Sequence, residues 1–224
     1  MSQTDSFIDE VSEELRRDQL FALLRRYGWI AALAVVLVVG GAAWNEYRKA
    51  QSQAMAEAFG DAILSALDAA DNAARVAALQ QIEAQSDTQL ALLSLLIAGE
   101  AQAADDAAAV TSALDAVGTA QDAPQIYRDI ALFKAATADG TDMDASQRNA
   151  ALDALATRGG MLRLLAWEQQ ALLALEGGDK AAAIDGLSKI MLDADATSSL
   201  RSRAGQMIIA LGGELPDPVA ALPQ

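Results

Sequence analysis

From Tyr27 to Trp44 the chain reads YGWIAALAVVLVVGGAAW, an unbroken run without a charge. As a helix this run is about 27 Å long, close to the roughly 30 Å hydrocarbon core of a bilayer. Arg25 and Arg26 precede it, and Glu46, Arg48 and Lys49 follow. Tyr27, Trp29, Trp44 and Tyr47 lie at its two ends, where amphipathic rings favour the headgroup layer. A helix apolar on every face must be surrounded by lipid or by a large core. Two other readings compete with a span: a buried core helix, and a cleaved leader with Gly41-Ala42-Ala43 as its small-residue site. Against cleavage, the segment 1–26 is acidic and helical in pattern, the apolar run exceeds the about 7–15 residues of a leader core, and bulky Trp44 would follow the cut. One transmembrane helix, residues 27–44, is therefore expected.

Orientation follows the cations rather than net charge. Arg16, Arg17, Arg25 and Arg26 lie before the run, against only Arg48 and Lys49 before the next cation, Arg75. The bias places the N-terminus in the cytoplasm and the larger C-terminal part outside. In a cell with two membranes that means an inner-membrane protein with a periplasmic domain.

Composition removes most chemistry. There is no cysteine and no histidine, so disulfides, thiolate nucleophiles, Cys-ligated metals, the Ser-His-Asp triad and imidazole bases are excluded. Thirty-one acidic against 16 basic residues leave a net charge of -15, which repels nucleic acid. Alanine accounts for 52 of the 224 residues, so much of the apolar content belongs to close helix packing rather than to large side chains.

Residues 1–26 read as a short amphipathic helix. Ser6 and Asp9 form a capping-box pattern, and Phe7, Val11 and Leu15, with Ile8 beside them, make an apolar stripe. Its acidity disfavours a lipid-surface role, leaving docking or tethering. From 45 to 211 the pattern is helical without strand-like alternation, and three of the four prolines follow Glu214. Breaks near Asp71-Asn72, Ser86-Asp87, Gly99 to Asp105, Gly118 to Pro124, Asp139 to Asp144, Gly159-Gly160, Gly177-Gly178 and Asp193 to Thr197 predict about nine helices of roughly 12 to 20 residues. The tail 212–224, with Pro216, Pro218 and Pro223, is expected to be disordered.

Gly178 and Gly212 each close a helix, one begun near Leu164 and one near Ser198. Their spacing is that of one tetratricopeptide unit, about 34 residues. Trp167, Ala171, Gly178, Ala183 and Leu187 fall at offsets resembling that repeat, and Gly205 and Gly212 complete the following unit. Ala171 and Ala183 would let two helix backbones approach, while Ile184 and Leu187 would face the next hairpin. Upstream, Asp105 to Val110 resembles Asp179 to Ile184, with Ala109 aligned on Ala183 two units later. Asp195 stands where the pattern has its closing proline, and the unit from Tyr127 to Ala156 carries a longer turn at Gly140-Thr141-Asp142. The expected fold is all-α: a transmembrane helix followed by a tetratricopeptide-like solenoid of antiparallel hairpins over 45–211. An irregular alanine-rich bundle is the alternative.

The order of parts carries a resemblance. The segment Phe7-Ile8-Asp9-Glu10-Val11-Ser12-Glu13-Glu14-Leu15-Arg16-Arg17-Asp18 precedes Arg26-Tyr27-Gly28, a single span ending in Trp44, and an acidic, alanine-rich repeat domain. This is similar to the ancillary SecYEG translocon subunit family. The resemblance implies a tetratricopeptide-like domain at the outer face of the bacterial inner membrane, beside the protein-conducting channel. It also implies association with a membrane-anchored periplasmic chaperone and help for exported chains, with no catalytic residues and no cofactor.

The acid pairs Asp105/Asp106, Asp142/Asp144 and Asp193/Asp195 are candidates for calcium or a carboxylate dyad. They lie at predicted helix starts, where acids cap amides. Asp142 to Gln147 begins like a calcium loop, but Gln147 stands where the turn requires glycine. Arg201 and Arg203 read as exposed cations, and Trp167 as repeat core. The leading expectation is a non-catalytic membrane-tethered scaffold that binds protein partners, the translocon and a chaperone by resemblance, with lipid contacted through one span. No nucleic acid, small-molecule substrate or metal is expected. A self-associating cell-envelope or division-associated organiser is the alternative; it needs a coiled coil from Tyr47 to Asp71, where Met55, Phe59, Ile63 and Leu67 recur every four residues. A hydrolase built on paired acids lacks an evident apolar pocket.

Overall fold

The computed structural model describes the backbone of residues 3–216 and, within it, the side chains of 25, 26, 28–30 and 33–216. The chain divides into two compact units, Met1–Asp61 and Ala62–Gln224. The described residues form nine helices and no strand.

The first unit is made by α1, Gln3–Leu67. The separate helices expected before, within and after the apolar run are one continuous helix. No proline interrupts it, and nothing lies within 4 Å of the Cβ position of Gly28, Gly40 or Gly41, so these glycines need not break the turn. Because α1 starts at Gln3, Ser6 lies inside the helix and not at its N-cap. The stripe of Phe7, Ile8, Val11 and Leu15 lies outside the described side chains.

The second unit takes the end of α1, where Ile63 and Ala66 are buried, and then eight helices. These are α2 (Asn72–Leu79), α3 (Asp87–Ala103), α4 (Ala107–Thr119), α5 (Gln125–Thr137), α6 (Ala145–Arg158), α7 (Arg163–Glu176), α8 (Lys180–Leu192) and α9 (Ser198–Ala210). Helix α2 is shorter than expected, because the chain turns at Gln80 to Ile82 well before the next cap at Ser86. Local chemistry sets most starts: the side chains of Asp71, Ser86, Asp106, Asp144, Asp179 and Thr197 each accept a hydrogen bond from the amide three residues on. Such caps satisfy amides that the first turn leaves without carbonyl partners.

From α2 to α9 each helix packs on the next in sequence, with α3 also touching α5. Three apolar clusters result, the first gathered from α2 to α5, the next around Leu152 and Leu155, and the last around Leu187, Ile190 and Ile208. Sixteen of the thirty buried apolar residues described are alanine. The helices therefore approach closely, and the few large buried side chains carry most of the transfer energy.

The α3–α4 and α7–α8 pairs share one register, in which Asp106 corresponds to Asp179. Asp105 (φ 57°) and Gly178 (φ 81°) take the left-handed turn, and Asp106 and Asp179 cap the helix that follows. Asp106 N–H donates to Ala101 O at 2.9 Å, and Asp179 N–H to Ala174 O at 2.8 Å. Val110, Leu114 and Val117 then occupy the buried places of Ala183, Leu187 and Ile190. The expected alignment of Ala109 on Ala183 is thus off by one position. Both segments are runs of alanine, and only the cap geometry distinguishes neighbouring registers. In α6, Leu152 and Leu155 stand at the same distances from Asp144; Arg148 replaces the first apolar residue there.

Past α9 the chain stays packed. Gly213 N–H donates to Ile208 O at 2.9 Å, and a side chain at Gly213 would come within 3.0 Å of Ile184 and Ile208. Packing thus continues beyond the boundary expected at Gly212, while 217–224 lie outside the described residues.

Candidate functional site

Within α1, Gly28–Leu67 contains the one stretch among the described residues long and apolar enough to cross a membrane, and none of its apolar window is buried. Leu33, Val36, Leu37 and Val38 all face outward, Val38 at 71% exposure. That much uncovered aliphatic surface suits lipid and not water. Trp29, Trp44 and Tyr47 are exposed, with the Trp44 and Tyr47 rings 6.2 Å apart. Arg25, Arg26, Arg48 and Lys49 are exposed on either side of the run, and the Tyr27 side chain lies outside those described.

The residues singled out for repeat packing gather in α7, α8 and α9. Ala171, Ala183 and Leu187 are buried, and Trp167 is half-buried against the α7–α9 cluster. Gly178 and Gly212 hold the positive φ that turns the chain after α7 and after α9. Gly205 is buried where a side chain would meet Met191 and Leu215. At the crossing of α7 and α8, where Ala171 and Ala183 are both buried, Gly186 also approaches closely: an added Cβ there would lie 3.3 Å from that of Ala171. Gly186 was legible only as a weak helix former inside an alanine-rich run.

Ion pairs tie these helices together. Asp193 and Asp195 do not open a helix: Asp193 closes α8, and both accept from Arg163 at the start of α7. Arg163 Nη1 donates to Asp193 Oδ2 at 2.7 Å, and Nη2 donates to Asp193 Oδ1 and Asp195 Oδ2, each at 3.0 Å. The hydrogen bonds from Arg163 hold the Asp193 carboxyl below the usual carboxylate range, against partial burial, with help from the Asp195 amide. The same bonds raise the Arg163 guanidinium. Arg203 is likewise more than a surface cation. It donates from Nε to Glu168 Oε1 at 2.5 Å and from Nη2 to Oε2 at 2.8 Å, and Glu168 is only 5% exposed. Arg201 reaches the carbonyl of Ala194 at 3.2 Å. Of the other acids, Asp106 and Asp144 cap helices, and Gln147 closes a capping box with Asp144. No group of three or more acids among the described residues is placed to hold a metal.

Around Trp167 lies a cleft of about 450 Å³. Asn149 and Asp153 of α6 form one wall, Asp185 and Lys189 of α8 the other, and Trp167, Gln170, Ala171 and Ala174 of α7 the floor. It exists because Ala171, Ala174, Ala182 and Gly186 carry a methyl or less, so nothing fills the space between α6 and α8. Gln170 Nε2 donates to Asn149 Oδ1 at 3.3 Å, and Lys189 pairs with Asp185 at 2.7 Å. One face of the Trp167 ring carries the Arg163 guanidinium at 4.9 Å.

A second cleft of about 350 Å³ lies between α4 and α6 over α5. Its floor is Arg128, Ala131, Leu132 and Ala135, which follow one another at the same spacing as Trp167, Gln170, Ala171 and Ala174. Here Arg128 is occupied by the carbonyls of Ala120, Gln121 and Ala123, and Arg158 pairs with Asp129. A third, wholly apolar hollow of about 120 Å³ sits between α7 and α9 over Ala183 and Leu187. None of the three was legible in sequence, since each is defined by side chains from three helices. No protein-family model, curated protein or solved structure matches the chain.

Proposed function

We propose that the protein is a membrane-anchored, non-catalytic scaffold whose helical domain binds protein partners. The helices from α3 to α9 are read as tetratricopeptide-like antiparallel hairpins, and the clefts between them as the binding surface. The observation that carries this reading is the recurrence of equivalent clefts: the same i, i+3, i+4, i+7 places on α5 and α7 form the two floors, on the corresponding side of each helix. Repeat arrays bind proteins through such successive surfaces. The exposed aliphatic stretch of α1 supports tethering, which raises the effective concentration of a weak binder near its target. Together with the resemblance of residues 7–18 and the span, this supports a scaffold beside the export translocon of a bacterial inner membrane. Its N-terminus is cytoplasmic, and its clients are exported chains or their chaperone.

A periplasm-active reporter fused after Gln224 tests the topology. Activity in the membrane fraction is expected. A silent membrane-bound reporter would place the helices in the cytoplasm and overturn the envelope reading, and an active soluble one would mean a cleaved leader. Capture of translocon or chaperone components from detergent extracts tests the partner. One observation favours a second reading, the self-associating envelope organiser: Ile209 and Leu215 stay 60% and 50% exposed beyond the last hairpin. Sedimentation of the purified chain as a stable oligomer that loses its self-association in Ile209→Asp would favour it.

A further inference from the structure

The Trp167 cleft carries chemistry that the other two lack. Its floor is an indole ring with one face already covered by a guanidinium, Arg163 at 4.9 Å, so in this chain the π-surface does accept a planar cation. Its walls present Asp153 on α6 and Asp185 on α8, both exposed. The only cation among its lining residues, Lys189, is paired with Asp185, which leaves the cleft net negative. Asn149 in the α6 wall and Gln170 at the floor add amide oxygens. The volume, about 450 Å³, is within the roughly 300–1,000 Å³ of ligand clefts.

We infer that this cleft is the recognition site for an arginine- or lysine-bearing segment of a protein partner, the cationic side chain lying over Trp167 between Asp153 and Asp185. The inference rests on the scaffold reading and deepens it by naming the site and the chemistry of the partner. Charge complementarity selects the occupant. An acidic segment meets two carboxylates, an apolar one leaves Asp153 desolvated and unpaired, and a basic one pairs with Asp153 and shares Asp185 with Lys189. Attraction between exposed charges is screened by salt, so binding weakens as ionic strength rises.

Trp167 is the one tryptophan after Trp44, which makes the site its own reporter. The full chain in lipid nanodiscs, carrying Trp29→Phe and Trp44→Phe, is titrated with a short alanine peptide bearing three arginines and with its glutamate counterpart. A saturable change in Trp167 emission is expected with the arginine peptide alone. Asp153→Asn/Asp185→Asn weakens it about tenfold or more, and Ala182→Leu, which fills the cleft from an exposed position, abolishes it at unchanged helicity. No response to the arginine peptide, equal response to the glutamate peptide, equal affinity for free arginine amide, or indifference to the Asp153/Asp185 pair would overturn the assignment. Partner capture from extracts is measured in parallel. Capture undiminished by Ala182→Leu would remove the cleft and leave the scaffold standing, whereas no capture by the unmodified chain would remove the scaffold reading itself.

Discussion

The crossing of α7 and α8 offers a direct test of why a glycine sits inside a helix. Alanine at 186 would gain about 1 kcal/mol of helix propensity and about 0.8 kcal/mol for a methyl buried against α7. That methyl, however, would lie 3.3 Å from Ala171 Cβ, and parting two packed helices by a few tenths of an ångström costs about 2–2.5 kcal/mol, within the usual range for overpacking. Gly186→Ala is therefore expected to destabilise slightly, by about 0.5 kcal/mol. Ala171→Gly loses about 1 kcal/mol of propensity and about 0.8 kcal/mol for a buried methyl, about 2 kcal/mol together. In the double variant propensity and buried methyls balance. The nearest remaining atoms to the new methyl are Ala171 Cα at 3.9 Å and Trp167 O at 4.0 Å, ordinary contacts. The swap should thus fall within about 0.5 kcal/mol of the natural protein, with a coupling of about 2 kcal/mol. Urea unfolding of the full chain in mild detergent, with Trp29→Phe and Trp44→Phe in every variant and followed by helicity and Trp167 emission, measures all four states. A double variant whose loss equals the sum of the single losses would refute close packing as the reason for Gly186.

Other consequences are measurable by the same means. Leu152→Ala, in a fully enclosed site, should cost about 3–4 kcal/mol, and Leu187→Ala about 2–3 kcal/mol, because Leu187 borders the 120 Å³ hollow and its vacated space opens into it; the reverse order in urea titrations would contradict this. Asp144→Ala should cost about 1 kcal/mol through loss of the α6 capping box, whereas exposed Asp142→Ala should stay within about 0.5 kcal/mol in the same assay. Because the Asp193 pKa is lowered on folding, its contribution is full above the unfolded value near 4 and lost as pH falls through the lower folded value. Melts between pH 6 and pH 2.5 should lose less stability in Asp193→Asn than in the natural protein, and equal losses would show that the Arg163 contact is not coupled to protonation. Val36→Arg adds about 2.5–3.5 kcal/mol to insertion of the apolar run, so alkaline extraction should release this variant from membranes and leave Val36→Leu in place.

The helices themselves were legible to within a few residues wherever a short polar side chain precedes an alanine-rich run. Asp71, Ser86, Asp144 and Thr197 stand at the predicted breaks, and Asp106 and Asp179 one residue past them, because capping involves only a few consecutive residues. The left-handed glycines at 178 and 212 were legible for the same reason. Contacts across helices were not. Asp193 and Asp195 looked like another pair of helix-start acids, yet their partner is Arg163, thirty residues before Asp193 at the start of α7. Arg203 looked solvated because its own helix offers it no acid, and Glu168 lies on α7. In runs such as Ala107-Ala108-Ala109 and Ala181-Ala182-Ala183 neighbouring positions are chemically identical, so the alignment of the two segments could slip by one until the caps fixed it.

What the sequence alone determined is whatever rests on local and additive physics. An uncharged apolar run between aromatic residues favours lipid, short-range caps start helices, and a chain without cysteine or histidine has no thiolate or imidazole chemistry. What tertiary structure decided is whatever depends on residues far apart meeting. That includes the Ala171–Gly186 crossing, the burial of Glu168 beneath Arg203, and the cleft whose floor is Trp167 and whose walls carry Asp153 and Asp185. A cleft is space left unfilled by side chains from three helices, and no single helix encodes what its neighbours leave empty.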